Sequence, residues 1–354
     1  MHLKSLYLRN FRNYAEMEVH FSPRVNVLYG ENAQGKTNLL EAIYLIATGR
    51  SFRTPYLQEL IRRGETFFYL EAILSKEGID HTIQIAFDGK NKKLNLDGNA
   101  YSTLQHLLGF LPSVLHTPWD SELIDGSPAI RRRFLNIHLA QKDPLYIHHL
   151  SRYWRAMMQR NALLKAHELS AIECWEIEMA ESAAYLWKMR QGFIDAIKVP
   201  LKANGHLLSS GKEKHDIRFL SSSQPDNYLT QLAKNRPREK ILGSTLSGPH
   251  RDDFSLWIDD LASRSFASEG QKKTAVFGLR LAEWELFTQI TGVPAILGID
   301  DLGLHLDRNR ESLFRQALGQ VGQTFITTPH PVDDLFKDHE LRKFLVSSGN
   351  IVQA

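Results

Sequence analysis

The sequence has a single cysteine, Cys174, among its 354 residues, and this scarcity excludes two kinds of protein architecture. One cysteine cannot form an intramolecular disulfide, and it cannot supply a cysteine-rich metal site. So little cysteine agrees with a reducing cytosol. Long apolar runs are also missing, since none approaches the ~20 residues that a membrane-spanning helix requires. We therefore expect a cytoplasmic protein that has no part in a membrane.

Several other familiar signatures are absent as well. The sequence contains no internal repeat, no low-complexity tract, and no zinc-finger or helix-turn-helix signature. Residues 1–6 enter a strand pattern directly, so no signal peptide is expected. What is present is typical of a soluble globular protein, with 43% hydrophobic and 23% charged residues. The net charge of +3 permits nucleic-acid binding but is too small to argue strongly for it.

The strongest positive signal is the stretch GENAQGKT at residues 30–37, which fits the pattern G-x-x-x-x-G-K-[ST]. The apolar run 24–29 before it predicts a buried strand, and residues 38–47 after it predict a helix. Strand, glycine loop and helix are the context that this motif requires. Lys36 should reach the β- and γ-phosphates of ATP, and the Thr37 hydroxyl should ligate Mg²⁺. The other nucleotide-binding residues that the motif predicts are Gly30, Glu31, Asn32, Ala33, Gln34, Gly35 and Asn38.

A second apolar strand, residues 294–299, ends in Asp300 and Asp301, which is the form of a Walker B motif. Asp300 would then hold the Mg²⁺ shell, and Asp301 would orient the attacking water. A later strand ends in His330, whose position matches a switch that senses the γ-phosphate. Carboxylate pairs and single histidines at strand ends are common, so these assignments depend on the P-loop that precedes them.

The segment SEGQ between these motifs contributes Ser268, Gly270 and Gln271, just before a helix predicted over residues 274–290. A small loop at a helix N-terminus is a second anion-binding device. One nucleotide hardly needs two such devices from one chain. We therefore predict that Ser268 and Gly270 close over the γ-phosphate held by a second copy of the chain. The alternative is an ordinary helix cap by Ser268.

The N-terminal third of the sequence predicts antiparallel strands around the P-loop. Residues 3–9 and 15–21 alternate between apolar and polar side chains, as in a hairpin. Arg12 and Asn13 at its tip either are surface loop residues or approach the nucleotide. Short alternating strands over residues 67–96, separated by turns, predict an antiparallel meander.

The middle of the sequence changes to a helical pattern. Residues 147–164 and 172–196 carry apolar side chains three and four positions apart, which predicts an antiparallel helical hairpin. Residues 203–239 are polar and are expected to connect this hairpin back to the core. The predicted domains are a discontinuous ATPase head over 1–127 and 240–354 and a helical arm with its connector over 128–239.

These motifs, in this order and split by a helical hairpin, resemble the ABC-type ATPase heads of the structural-maintenance-of-chromosomes class. Within the class, the chain is similar to the RecF family of bacterial DNA replication and repair proteins. Sequence blocks that carry this resemblance are residues 8–14, 30–38, 51–54, 126–128 with 131–135, and 248–253. It implies an α/β fold, an ABC-type P-loop ATPase head with a mixed sheet core, an antiparallel β meander and an inserted helical arm.

The resemblance also implies a function. It predicts ATP and Mg²⁺ as cofactors, and an ATP-dependent homodimer that binds double-stranded DNA and gapped single-strand/double-strand junctions. It further implies a weak DNA-dependent ATPase, associated with the nucleoid, that helps RecR and RecO to load RecA in DNA repair and the SOS response.

The chain departs from the family pattern at several positions. Glu269 replaces the usual glutamine, Trp119 stands where an acidic residue is usual, and Pro329 precedes His330. Leu304 and His305 replace the usual Ser-Glu pair after the Walker B strand. The resemblance implies that these departures cluster around the dimer-facing half of the site, so an ATP-binding scaffold with little hydrolysis is one alternative function. A P-loop kinase or phosphotransferase is another, although the S-x-G-Q segment speaks against it.

The predicted DNA contacts lie on a basic side of the arm. Lysine and arginine contacts to phosphate would give sequence-independent, salt-sensitive binding. The alternative is a solvated helix face with aromatic residues in the core. The predicted contact residues are Arg131, Arg132, Arg133, Arg152 and Arg155, with Arg160 on the same side and Tyr153 and Trp154 between them.

Overall fold

A computed structural model describes residues 1–301, 321–330 and 340–353. The strands are β1 His2–Phe11, β2 Tyr14–His20, β3 Val25–Tyr29, β4 Phe68–Lys76, β5 Ile79–Phe87, β6 Lys92–Leu96, β7 Asn99–Tyr101, β8 Ser113–His116, β9 His215–Leu220, β10 Asp253–Ile258, β11 Leu261–Ala262, β12 Ile296–Ile299, β13 Thr324–Thr328, β14 Leu341–Ser347 and β15 Asn350–Gln353. The α-helices are α1 Lys36–Thr48, α2 Glu122–Asp125, α3 Pro128–Lys142, α4 Pro144–Ala166, α5 Ile172–Leu208, α6 Tyr228–Leu242, α7 Ser263–Phe266 and α8 Glu269–Thr291.

The chain forms two compact units, and both are discontinuous in sequence. Unit 1 comprises Met1–Asp120, His206–Lys212 and Phe277–Ala354. Unit 2 comprises Ser121–Gly205 and Glu213–Val276. The head and arm boundaries expected at residues 127/128 and 239/240 do not coincide with these bounds, and that division remains a prediction.

Unit 1 contains two six-stranded sheets. The first is antiparallel with the order β2-β1-β4-β5-β6-β7, which confirms the predicted N-terminal hairpin and the meander that follows it. The second has the order β15-β14-β3-β13-β12-β8, in which β14 to β8 are parallel and β15 is an antiparallel edge. The mixed sheet core that the sequence predicts is therefore present.

The strands of the mixed sheet place alternate side chains on its two faces. On β3, Leu28 joins the core that contains α1, whereas Val27 joins the core that contains the C-terminal half of α8. Gly298 of β12 permits a close approach by α1, because a Cβ atom there would lie 3.0 Å from the Leu40 side chain. The helix that follows the P-loop is thus held firmly against the sheet.

Unit 2 contains the predicted helical hairpin. Residues later in α4 contact residues earlier in α5: His149 stacks on Tyr185, whereas Arg160 is paired with Glu176. Such an order requires antiparallel helices. The chain turns at His167, whose φ of 58° lies in the left-handed region that ends many helices.

The expected polar connector has more structure than its composition indicates. It contains β9, which pairs antiparallel with β10, and most of α6. Pro237, whose residue type favours a connector, lies inside α6. The interpretation was wrong here because the few apolar positions, such as Ile217 and Leu232, are fully buried and outweigh the polar majority.

None of the described helices combines the length and the apolar character that a membrane crossing needs.

Candidate nucleotide-binding site

Three neighbouring parallel strands of unit 1 carry the predicted ATPase motifs at one edge of the sheet. β13 lies between β3 and β12 in the sheet order. The P-loop follows β3, the two aspartates follow β12, and His330 lies two residues beyond the end of β13. Ligands of α/β sheets bind at the carboxyl ends of such strands. The fold therefore gathers motifs that lie nearly 300 residues apart in the sequence.

The backbone of the P-loop adopts conformations that its glycines permit. Gly30 and Gly35 have φ angles of 143° and 124°. A Cβ atom at Gly35 would lie 2.7 Å from the Asn13 amide nitrogen and 2.9 Å from the Tyr14 hydroxyl. At Gly30 it would lie 2.3 Å from the main-chain oxygen of Val346. Both glycines are thus required by close packing as well as by backbone conformation.

Lys36 is buried at the start of α1, with its side chain folded back over the loop. Its Nζ donates hydrogen bonds to the main-chain oxygens of Gly30 and Glu31, at 2.5 and 2.7 Å. Burial lowers the pKa of Lys36, and the nearby Asp301 and Asp300 carboxylates act in the opposite direction. A buried ammonium held by neutral carbonyl groups is suited to an anionic ligand such as phosphate.

Thr37 and Asp300 lie in direct contact. The Thr37 Oγ1 donates to Asp300 Oδ1 at 2.9 Å, and the Thr327 Oγ1 donates to the same oxygen at 2.8 Å. Asp300 is only 4% exposed, and burial raises its pKa. Hydroxyl and carboxylate oxygens are the hard donors that Mg²⁺ prefers, and Mg²⁺ sites usually combine one or two carboxylates with water and phosphate. Thr37 and Asp300 therefore fit a Mg²⁺ ion, which would neutralise phosphate charge when bound there.

Asp301 and His330 occupy the ends of the two adjacent strands. The Asp301 N–H donates to Thr327 Oγ1 at 2.7 Å, and its φ of 63° is uncommon for a residue other than glycine. The His330 side chain is exposed, and its main-chain oxygen accepts from Thr328 Oγ1 at 3.1 Å. Two of the positions that depart from the family pattern, Leu304 and His305, lie outside the described residues.

The tip of the β1–β2 hairpin contacts the P-loop through Asn13. Its Nδ2 donates to the Gln34 main-chain oxygen at 2.8 Å, and its Oδ1 accepts from Asn38 Nδ2 at 2.8 Å. Arg12, the neighbouring residue, points its guanidinium to a different partner. It forms two hydrogen bonds with Glu41, at 2.8 and 2.7 Å.

Glu41 is a residue of this site that the sequence interpretation missed. It is fully buried in α1, where its carboxylate accepts from Arg12, from Ser51 Oγ at 2.5 Å and from Arg53 Nη1 at 3.4 Å. Arg53 also donates to Asn38 Oδ1 at 2.8 Å. The signal was available, because a single acidic residue inside the apolar run 39–47 requires charged partners. Three separated segments of unit 1 are joined by this one carboxylate.

Trp119 lies in a short 3₁₀ helix, Pro118–Ser121, and half of its surface is exposed. Its ring centroid lies 6.4 Å from that of Phe52. The carboxylate next to it, on Asp120, forms two hydrogen bonds with Arg280, at 2.8 and 2.9 Å. Although burial raises the pKa of Asp120, the Arg280 guanidinium holds it well below its usual range.

In unit 2, the S-x-G-Q segment forms a helix cap. The Gln271 N–H donates to Ser268 Oγ at 3.3 Å, and the Ser268 N–H donates to Gln271 Oε1 at 2.9 Å. This reciprocal pair is a capping box. As a result α8 begins at Glu269, which corrects the start that was predicted at Thr274. Ser268 itself is exposed, so capping does not remove it from the surface.

Most of the arginines predicted to contact DNA have protein partners. Arg131 is buried and forms a bidentate pair with Asp253, at 2.6 and 2.8 Å. Arg160 is also buried, against Glu176 and Glu239. The assignment of these two residues to a DNA-facing side is therefore corrected to a structural role. Other predicted contacts differ in exposure: Arg132 is half-buried, Arg133 and Arg155 are exposed, and the partly exposed Arg152 is paired with Glu178 and Glu181.

Comparisons with known proteins agree with this geometry. A family model described as the RecF/RecN/SMC N terminal domain matches residues 2–332. The DNA replication and repair protein RecF of Protochlamydia amoebophila (strain UWE25) is 43% identical over 348 residues, which cover 96% of each chain. A solved structure of the recombination mediator protein RecF-ATP in the RecFOR pathway is 30% identical, with a TM-score of 0.91, over 100% of this chain and 97% of that one.

A more distant structure bears on the fold alone. The crystal structure of an Smc head bound to the C-winged helix domain of ScpA is 15% identical, with a TM-score of 0.59, over 100% of this chain and 98% of that chain. Together with the family model, this likeness confirms the predicted ABC-type P-loop ATPase head fold.

Proposed function

The chain belongs to the RecF family of DNA replication and repair proteins, and we propose that it binds ATP with Mg²⁺ and acts as an ATP-dependent switch on DNA. The proposed nucleotide site is the P-loop of unit 1, with Lys36 on the β- and γ-phosphates and Thr37 and Asp300 on Mg²⁺. ATP binding is also supported by the RecF-ATP relative, which is similar over almost the whole chain.

The observation that carries the proposal is the contact between Thr37 and Asp300. These residues are 263 positions apart, yet their side-chain oxygens lie 2.9 Å from each other at the carboxyl edge of the sheet. A chance match to the P-loop pattern would have no reason to meet a buried carboxylate at the end of another strand. The pairing is what a Mg²⁺-dependent nucleotide site requires.

The remaining residues receive roles from their positions. Asp301, at the end of the Walker B strand, would orient the attacking water, and His330 would sense the γ-phosphate. Asn13, which already contacts the P-loop, would approach the nucleotide, whereas Arg12 is held by Glu41. Hydrolysis is proposed to be slow and to reset the switch.

On DNA, we propose that the protein binds duplex and gapped single-strand/double-strand junctions and works with RecR and RecO to promote RecA loading. Support for the partners comes from the solved relative, which is described as a mediator in the RecFOR pathway. The proposed location is the cytoplasm, in association with the nucleoid.

The test is ATP hydrolysis with and without linear duplex DNA, at two salt concentrations, alongside the variant Thr37→Val. We expect stimulation by duplex that weakens at the higher salt, because phosphate contacts release counterions. Thr37→Val removes one hydroxyl and should abolish Mg²⁺-dependent turnover. Phosphate transfer to a small molecule that is indifferent to DNA would contradict the proposal and favour a phosphotransferase. ATP binding without turnover would favour a scaffold.

We further propose that the active form is a dimer whose two nucleotide sites each take Ser268, Gly270 and Gln271 from the partner copy. Lys36→Ala damages the P-loop but leaves an intact S-x-G-Q segment, whereas Ser268→Arg does the reverse. In a mixed dimer one site then combines two intact halves. Equal mixing makes about half of the dimers mixed, so about a quarter of the wild-type sites should return in a two-fold symmetric dimer.

Each variant alone should therefore be inactive, and the mixture should regain DNA-stimulated ATPase activity. ATP-dependent dimerisation, followed by light scattering, covers the case in which both sites must act together. Failure of rescue, combined with a protein that stays monomeric in ATP at micromolar concentration, would exclude the shared site.

A further inference from the structure

Two sequence blocks that carry the family resemblance, residues 131–135 and 248–253, meet inside unit 2. Arg131 joins them through its bidentate pair with Asp253, and Arg131 Nη1 also donates to the Gly126 main-chain oxygen at 3.0 Å. The nucleotide site proposed above uses neither block. Their contacts therefore need a separate explanation.

A second buried ion pair anchors the same region. Arg190 and Asp252 are both almost fully buried, and Arg190 Nη1 lies 2.7 Å from Asp252 Oδ2. The same nitrogen donates to the Pro249 main-chain oxygen at 2.6 Å, and Trp187 Nε1 donates to Asp252 Oδ1 at 3.0 Å. These contacts anchor Pro249 and Asp252, at the two ends of residues 249–252, to α5.

The charges of this region do not cancel. Both aspartates are used by buried arginines, so Arg132 and Arg251 add two positive charges that no carboxylate in the two blocks neutralises. Arg132 Nη1 donates to the Asp252 main-chain oxygen at 2.9 Å, which places it beside Arg251. Arg251 is exposed, and among the described residues its guanidinium has no ion-pair partner.

The pKa of His250 reflects the positive charges around it. Burial, helped by the charges of Arg251, Arg132 and Arg190, lowers its pKa to about 4 although the Thr245 hydrogen bond acts in the opposite direction, so the imidazole is neutral. Its Nε2 lies 3.1 Å from the Thr245 main-chain oxygen and therefore carries the proton. Its Nδ1 then accepts from the Tyr153 hydroxyl at 2.7 Å. The ring is fixed on both sides.

An aromatic side chain borders the same patch. Trp154 follows Tyr153 on α4, is 43% exposed, and has its ring centroid 6.4 Å from that of His250. The patch thus combines arginines with an exposed indole that contacts His250, the neighbour of Arg251 in the chain. Nucleic-acid surfaces use this combination, since arginine binds phosphate and an aromatic face stacks with an unpaired base.

We propose that Arg132, Arg251 and Trp154 form a DNA-contact surface, in which the arginines bind backbone phosphates and the indole stacks on an unpaired base at a junction. The inference rests on the proposed function, because it assumes that the protein binds DNA. It replaces Arg131 with Arg251 as a phosphate contact. The buried ion pairs fix the backbone next to Arg251, and Arg132 is held by the Asp252 main-chain oxygen, so little freedom of that backbone and of the Arg132 side chain is lost on binding.

The experiment measures affinity for intact and gapped duplexes by fluorescence anisotropy, over a range of salt concentrations. Arg251→Glu should weaken both complexes about tenfold or more and reduce the salt slope by about one. Arg251→Lys keeps the charge and should retain most of the affinity. Trp154→Ala should weaken only the gapped complex, by about five- to tenfold.

Arg238→Glu, an exposed arginine on α6, is the matched control and should bind as wild type does. ATP affinity, measured on the same samples, establishes that each variant is folded. Normal DNA binding by Arg251→Glu would overturn this surface while leaving the proposed function intact. An equal loss in Arg238→Glu would also overturn it, because any exposed arginine would then suffice. No DNA binding by the wild-type protein would overturn both proposals together.

Discussion

Both units bury charged side chains, but they balance these charges in different ways. In unit 2, Arg190 and Asp252 are 1% and 0% exposed at their side chains and lie 2.7 Å apart as a direct ion pair. In unit 1, the hydrogen bonds of the Lys36 side chain within residues 1–301, 321–330 and 340–353 go to carbonyl groups, and those of the Asp300 carboxylate come from two hydroxyl groups. The Arg190–Asp252 pair of unit 2 supplies its own opposite charge, whereas Lys36 and Asp300 at the nucleotide site of unit 1 lack such a partner among the described residues.

The pKa shifts follow this difference. Although burial lowers the pKa of Arg190, Tyr146 and Asp252 raise it above its usual value, so its charge is stabilised. Burial lowers the pKa of Lys36 and raises that of Asp300, so both charged forms are disfavoured. Charges that the protein leaves uncompensated are suited to a ligand that brings phosphate and metal. The contrast separates a structural network from a binding site.

The largest effect on stability is expected when the buried Arg190–Asp252 ion pair of unit 2 is broken. Arg190→Ala leaves Asp252 buried without its partner, and should lower the free energy of unfolding by about 3–5 kcal/mol. Asp260→Ala is the control, because it removes an ion pair with Arg218 whose Asp260 side chain is 92% exposed. The control should change stability by no more than about 1 kcal/mol. Urea unfolding measures both, and equal losses would remove the distinction.

In unit 1, Lys36→Ala should abolish tight ATP binding, with a loss of about 100-fold or about 2.7 kcal/mol. Lys36 is the P-loop cation, and no other lysine lies within residues 30–37. Isothermal titration calorimetry gives the affinity, and Lys4→Ala, which removes an exposed partner of Asp80, is the control. Unchanged ATP affinity in Lys36→Ala would be incompatible with the proposed site.

Asp301→Asn tests whether the uncompensated charges of unit 1 have separate roles. Hydrolysis should slow by about tenfold or more because water orientation is lost, while ATP affinity should stay within about twofold. Single-turnover hydrolysis and calorimetry on the same sample separate the two quantities. A variant that hydrolyses ATP at the wild-type rate would exclude Asp301 as the residue that orients water.

Glu41→Gln tests a buried charge of unit 1 that does have partners of opposite charge, because the Glu41 carboxylate is paired with Arg12 and Arg53. The amide keeps the shape but loses the charge that holds Arg12 and Arg53, so stability should fall by about 1–2 kcal/mol. The exposed Glu18, changed to Gln, is the matched control and should have no measurable effect. If Glu41→Gln is as stable as the wild type, the ion pairs of Glu41 with Arg12 and Arg53 contribute little to the stability of the protein.

The local motifs could be predicted from sequence because the residues that define each of them are close together in the chain. The P-loop predicts strand, loop and helix within twenty residues, and the helical hairpin follows from side chains three and four apart. What sequence could not supply was the partner of each charge. Arg131 was assigned to DNA because Asp253, which neutralises it, lies 122 positions away. The role of Glu41 depends likewise on segments that only the fold brings together.

The start of α8 shows a second limit. Ser268 and Gln271 have the spacing of a capping box, but the glycine between them favoured a loop, and the helix was therefore predicted to begin too late. The role proposed for the S-x-G-Q segment at the nucleotide site of a second copy depends on a dimer, and a single chain does not contain that contact.

The difference between the nucleotide site of unit 1 and the buried ion pair of unit 2 is tested most directly by changing one aspartate to asparagine in each, in nucleotide-free protein at neutral pH. For Asp300, the folded-state pKa is raised, so its ionisation reduces stability as pH rises from the unfolded pKa through the folded one, and this loss is complete above the folded-state pKa. Asp300→Asn keeps the acceptor oxygen, should raise the free energy of unfolding by about 1 kcal/mol, and should remove that pH dependence.

Asp252→Asn, in contrast, weakens the only carboxylate partner of Arg190 among the described residues and should lower the free energy of unfolding by about 3 kcal/mol. Urea unfolding of the two variants beside the wild type measures both changes. Opposite signs are the predicted result. A loss of stability in Asp300→Asn as large as that in Asp252→Asn would contradict the claim that the nucleotide site of unit 1 leaves the charges of Lys36 and Asp300 for a ligand.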